Sequence, residues 1–97
     1  MEKLVGTVRG VTVVTVTSAS KTLEELFTAA ETSVNERTTK ITVRPASDVN
    51  MAYGEDATVL STNVVDGGAW TEMMFVKGTD VRFVAGGNVA MTVVEEG

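Results

Sequence analysis

The apolar positions of this chain change period once. From Lys3 to Thr17 the run KLVGTVRGVTVVTVT alternates loosely, with Val11 and Val13 set among threonines, as a half-buried strand does. Gly6 and Gly10 interrupt it and mark bends or a bulge. The segment predicts one long bent strand or two short ones. The pattern then turns helical: Leu23, Leu26, Phe27 and Ala30 fall at i, i+3, i+4 and i+7, the apolar stripe of one helix face. Thr22 and Glu25 have the spacing of a capping box, in which the threonine oxygen accepts a backbone N–H and the glutamate reaches back. Glu24 and Glu25 also suit the positive end of the helix dipole. One helix of about three turns is predicted over residues 22–31. Such a stripe suits a partner or the protein's own sheet, and the usual burial of such stripes favours the sheet.

After the helix the period returns to two. Thr38 to Arg44 places Ile41 and Val43 on one side and Lys40, Thr42 and Arg44 on the other, and Pro45, which has no N–H to give a ladder, stops it. Asp48 to Tyr53 sets Val49, Met51 and Tyr53 together. Gly54-Glu55-Asp56 and Asp66-Gly67-Gly68 read as turns around a strand-like run from Ala57 to Val65. Trp70 to Val76, Val81 to Ala85 and Val89 to Val94 complete the set. The last two read as a closing hairpin whose turn, Gly86-Gly87-Asn88, tolerates positive φ.

Roughly seven or eight strands at regular spacing, with turn signals between them, are the signature of a sandwich or small barrel. No helix separates most strands, which argues against a parallel α/β sheet. The expected fold is mainly β: an antiparallel β-sandwich, jelly-roll-like, with one short helix. The 97 residues fit a single domain over 1–97, with residues 1–17 as an N-terminal strand or arm.

Composition sharpens this by exclusion. A hydrophobic share of 43% and a charged share of 22% are globular values. The net charge of −5, with Lys and Arg scattered, disfavours phosphate backbones, so nucleic acid is not an expected partner. No stretch approaches the roughly 20 apolar residues that span a bilayer, so no membrane is expected. Met1-Glu2-Lys3-Leu4 does not resemble a signal peptide, and synthesis and folding in the cytoplasm are expected. The absence of Cys and His removes disulfides, thiolates, the common zinc sites and histidine triads. No cofactor and no metal is expected.

Carboxylates are then the abundant reactive groups. Asp48, Glu55, Asp56, Asp66, Glu72, Asp80, Glu95 and Glu96 are the candidates for a pair. A glycosidase needs two such groups roughly 5–10 Å apart in a cleft with aromatic platforms. Turns use Asp and Gly so commonly that solvated turn acids are the expectation instead. Asp48-Val49-Asn50 opens like a calcium loop, but Ala52 and Tyr53 stand where an oxygen ligand and a glycine belong. A looser set from Asp48, Asn50, Glu55 and Asp56 is the remaining option. No Ser-x-x-Lys pair is present to activate a hydroxyl. Gly67-Gly68 and Gly86-Gly87 both precede strands rather than helices, so they are turn glycines and not phosphate cradles.

Taken together, SKTLEELFTAAE, ERTTKITVRPASDVNMAYG, STNVVDGGAW and TDVRFVAGGNVAMTVVEEG make a familiar arrangement. An I-x-V-x-P…D-V strand (Ile41, Val43, Pro45, Asp48, Val49) leads to a glycine turn before an aromatic (Gly67, Gly68, Trp70). The chain closes on Asp80 to Gly87 and a V-x-V strand. The whole resembles the small virion structural proteins of tailed phages, of the head-decoration, cement or minor capsid kind. The resemblance covers most of the chain and rests on strand and turn grammar. It implies a structural role without catalysis, and a homo-oligomer, a trimer first among the symmetric forms. It also implies a capsid or tail protein as partner, with synthesis in a host cytoplasm and residence in the virion. No catalytic residue transfers from it.

The expected interface positions are Trp70, Met73, Tyr53 and Val13. Trp is enriched at binding hot spots. Met73-Met74 sends one side chain to each face, and the core is the expected place for at least one of them. The first strand is the best arm. A second reading makes the chain a carbohydrate- or surface-binding sandwich with Trp70 and Tyr53 as stacking platforms. A carboxylate-based hydrolase ranks third.

Overall fold

A computed structural model describes residues 8–54, 57, 63–75 and 81–97. Among these the chain forms eight strands and one helix: β1 Val8–Val16, β2 Lys21–Thr22, α1 Leu23–Ala29, β3 Lys40–Pro45, β4 Val49–Tyr53, β5 Val64–Val65, β6 Thr71–Met74, β7 Val81–Val84 and β8 Val89–Glu96. They make two four-stranded sheets, ordered β1-β8-β3-β6 and β2-β7-β4-β5, with every described pairing antiparallel. The fold is mainly β with one short helix, consistent with a β-sandwich.

The pairings obey one rule. β1 meets β8, β2 meets β7, β3 meets β6 and β4 meets β5. The chain is thus folded back on itself near β4 and β5 into a double ribbon. The ribbon is rolled so that β8 also meets β3 and β7 also meets β4. Alternate positions along the strands face inward with Val14, Val16, Ile41, Val43, Val49, Met51, Phe83, Met91 and Val93, all buried in one cluster. Burying such side chains contributes about 1.5–3 kcal/mol each.

The capping box forms as the spacing requires. The Glu25 N–H donates to Thr22 Oγ1 at 3.1 Å, and the Thr22 N–H donates to Glu25 Oε1 at 2.8 Å. The helix has seven residues rather than three turns. Leu23, Leu26 and Phe27 are buried against the sheets, but Ala30 is exposed. Glu31 takes a left-handed φ of 63° just beyond the C-cap, and that geometry ends the helix a turn early.

One further expectation changes, and one alternative is narrowed. The closing segment is not a hairpin: β7 belongs to one sheet and β8 to the other. Gly86-Gly87-Asn88 is a crossover between sheets, and neither glycine has positive φ. Alternation reports which side of a strand is buried, not which strand lies beside it. The N-terminal stretch, where described, is not a detached arm. Val8–Val16 is paired along its length with β8, with a register irregularity between Val8 and Gly10. Gly6 lies outside the described residues, as do Glu55, Asp56, Asp80, Val76 and most of the Ala57–Val65 run.

Candidate functional site

The two outer faces of the sandwich differ. On the β2-β7-β4-β5 sheet, Ala52 and Val84 are buried with Ala57, whose N–H donates to Ser20 Oγ at 3.0 Å. That face is covered there by the protein's own chain. The outer face of the β1-β8-β3-β6 sheet carries exposed side chains. Residues directly opposite across antiparallel strands share a face. Val11 lies across from Val94, Val13 from Thr92 and Thr15 from Ala90. Beyond them Thr42 meets Val94 and Arg44 meets Thr92, and Glu72 and Met74 follow on β6.

This face has an apolar flank and a mixed flank. On β1, Val11 and Val13 are 62% and 59% exposed. On the far side Met74 and Trp70 are 74% and 51% exposed. Between them, at the end away from Trp70, Lys40 lies 3.1 Å from the Glu96 carboxylate and 3.4 Å from that of Glu72. The hydrogen bond to Glu96 raises the lysine pKa above its ordinary value; partial burial opposes this and Glu72 adds to it. At the other end the Arg44 guanidinium stands 5.8 Å from the Trp70 ring centre, within cation–π range. A shallow hollow of about 340 Å³ opens beside this pair, lined by Arg44, Pro45, Ala46, Gly68, Ala90 and Thr92.

The floor of the hollow is shaped by the Gly67-Gly68 turn. The Gly68 N–H donates to the Pro45 carbonyl at 2.7 Å and the Gly67 N–H to Asp48 Oδ1 at 2.7 Å. Gly68 has a φ of +76°, which L side chains rarely adopt. A Cβ on Gly67 would come within 2.6 Å of Ser47 backbone atoms, so this position needs glycine for close approach rather than for φ. The Asp48 carboxylate is thereby committed to the turn.

A second polar feature lies inside. Glu95 faces inward from β8 and is 3% exposed. Its Oε2 accepts from the Asn35 N–H and from Thr38 Oγ1, both at 2.8 Å. One carboxylate thus ties the 34–38 loop to the sheet. It departs from the expectation of solvated turn acids. The signal was present in the chain: the inward phase of β8 runs Val89, Met91, Val93 and lands on Glu95.

The expected interface residues are dispersed. Trp70 and Val13 both belong to the outer face of the β1-β8-β3-β6 sheet, on opposite flanks. Tyr53, 51% exposed, ends β4 in the other sheet, so Tyr53 and Trp70 do not make one platform. Met73 packs against the core, and its neighbour Met74 is the one exposed. Val11 and Arg44 join the face beside the expected Val13 and Trp70, and of the Met73-Met74 pair it is Met74 that lies on it. They are ordinary strand residues until the register sets them side by side. Among the described residues no group of three His, Cys, Asp or Glu is placed to hold a metal, and no helix is long and apolar enough to cross a membrane. No family model, no curated protein and no solved structure matches the chain.

Proposed function

We propose that this chain is a non-enzymatic virion structural or assembly protein of the capsid-decoration or cement kind, acting through self-association and contact with a shell or tail surface. The observation that carries the reading is the outer face of the β1-β8-β3-β6 sheet, where Val11, Val13, Trp70 and Met74 stand exposed. The mirror pairing of strands, first with last and inward to β4 with β5, supports reading the sandwich as jelly-roll-like, an architecture that recurs in viral capsid proteins. Fold alone does not specify function, so the reading rests on that face. Synthesis in a host cytoplasm and assembly into the particle follow from it. The test is quantitative mass spectrometry of purified particles made by the genome that encodes the chain. The reading expects many copies per particle. A chain confined to the soluble lysate overturns it.

A second reading has its own observation. Arg44 set against the exposed Trp70 beside the 340 Å³ hollow suits a small planar or sugar ligand. Trp70 is the sole tryptophan, so the fluorescence reports its surroundings, with Arg44 of the hollow beside it. Titration with a panel of glycans that shifts its emission favours this carbohydrate-binding reading, and no shift across the panel removes it.

A further inference from the structure

We propose that β1 joins two copies of this chain edge to edge, antiparallel about a two-fold axis through Val13. The inference rests on the reading of the chain as a self-associating structural protein and specifies its contact.

The edges of the two sheets are unequal. Among the described residues β2 and β5 have two residues each, and β6 has four with Glu72 among them. β1 has nine residues and, among the described residues, pairs with a strand on one side only. A long edge with open N–H and C=O groups accepts another strand unless a charge, a proline or a strong bulge prevents it. None of these interrupts β1 past its N-terminal irregularity: from Gly10 to Ser20 there is no charged residue and no proline. The valines at positions 11 and 13 are exposed on its outer face.

The occupant follows from charge and register. The chain carries a net charge of −5, so two copies repel over most of their surfaces. Between Lys3 and Leu23 there is no carboxylate, so this edge brings no acid of its own against its copy. Centring the pair on Val13 sets Thr12 opposite Val14 of the second copy, Val11 opposite Thr15, and Gly10 opposite Val16. Each of these pairs joins residues of the same face, so the inner faces of the two copies stay aligned. Arg9 falls opposite Thr17 of the second copy, and the two Arg9 positions lie about 26 Å apart along the strands. The result is an isologous contact, with one continuous eight-stranded sheet whose outer side joins the two exposed valine stripes.

The test is light scattering on the full chain at about 100 µM, a concentration that populates any dimer of micromolar Kd. The expected mass is twice the 10.2 kDa of one chain. Val13→Lys sets two ammonium groups against each other across the axis and is expected to give a monomer with an unchanged circular dichroism spectrum. Because the chain has no cysteine, Val13→Cys is expected to cross-link to completion under mild oxidation. Val64→Cys, also exposed but on the other sheet, is expected not to. A monomeric wild type, a dimer that survives Val13→Lys, or a trimer overturns the pairing. A monomer that is nevertheless found in particles defeats this contact and leaves the structural reading standing. A dimer absent from particles does the reverse.

Discussion

Gly10 lies directly across from Glu95 on β1 and β8, and the glutamate carboxylate occupies the space beside it: a Cβ at position 10 would meet Glu95 Oε1 at 3.4 Å. The carboxylate uses that room to reach Asn35 and Thr38 from inside the sandwich. Glu95→Ala leaves two inward donors without their acceptor. Hydrogen bonds to a charged group contribute about 1.5–3 kcal/mol, so a loss of about 2–3 kcal/mol is expected. Denaturant melts measure it, and amide exchange at Asn35 and Thr38 is expected to accelerate beyond the global change. Gly10→Val is expected to displace the carboxylate and reproduce the same exchange signature.

The glycines are predicted to differ in what they tolerate. Gly67→Ala places a methyl group against the Ser47 backbone and is expected to cost several degrees of Tm. A Cβ at Gly87 meets nothing within 4 Å and no positive φ opposes it, so for Gly87→Val a change within about 0.5 kcal/mol is expected, as at other open surface positions. Paired thermal melts check both. The turn that resists substitution is the one beside Pro45, not the crossover between β7 and β8.

The helix start gives a pH prediction. The Thr22 N–H donates to the Glu25 carboxylate and holds its pKa below the ordinary carboxylate value; partial desolvation opposes this. A lowered acid pKa stabilises the fold above the unfolded pKa, and the contribution is lost as pH falls through the folded value. Backbone amides of Thr22 and Glu25, followed by NMR between neutral and acid pH, are expected to shift together below the ordinary carboxylate range. Thr22→Ala is expected to cost about 1 kcal/mol at neutral pH, as N-cap removals do.

Lys40 works in the opposite direction. Its raised pKa, caused first by Glu96, means that its contribution is complete below the unfolded lysine pKa and disappears as pH rises through the folded value. The expected signature is a small fall in Tm confined to strongly alkaline solution. It should be absent in Lys40→Met and weakened by salt, since the Glu72 side of the site is open to solvent.

Arg44 and Trp70 provide an optical check on the outer face. With the guanidinium 5.8 Å from the ring, Arg44→Ala is expected to shift the emission of the sole tryptophan and to cost about 0.5–1 kcal/mol, the range for an exposed cation–π pair. An unchanged spectrum would mean that the pair is not formed in solution.

Much of the fold was legible because local physics governs it. Strand positions followed from period-two alternation, and the inward sets Ile41 with Val43, Val49 with Met51, and Met91 with Val93 are buried as that phase requires. Thr22 and Glu25 announced the helix start because a capping box is satisfied within four residues. Its end was not legible from periodicity, since Ala30 continues the stripe while Glu31 breaks the backbone.

Partnership was the part the chain could not declare. VRFVAGGNVAMTV reads as a hairpin by every local rule, yet its two strands lie in different sheets. Which of two neighbouring strands shows its other edge to solvent depends on how the whole ribbon rolls, a non-local balance of burial. That roll left β1 at an edge, put Met74 rather than Met73 outside and set Arg44 beside Trp70. It also brought Gly10 opposite Glu95 across some eighty residues of sequence. By itself the sequence determined which residues are inward, where strands start and how the helix begins, because these depend on neighbours a few positions away. Tertiary structure alone decided which strands touch, and therefore which side chains share the outer face, because contacts between distant segments are chosen by the burial of the entire core.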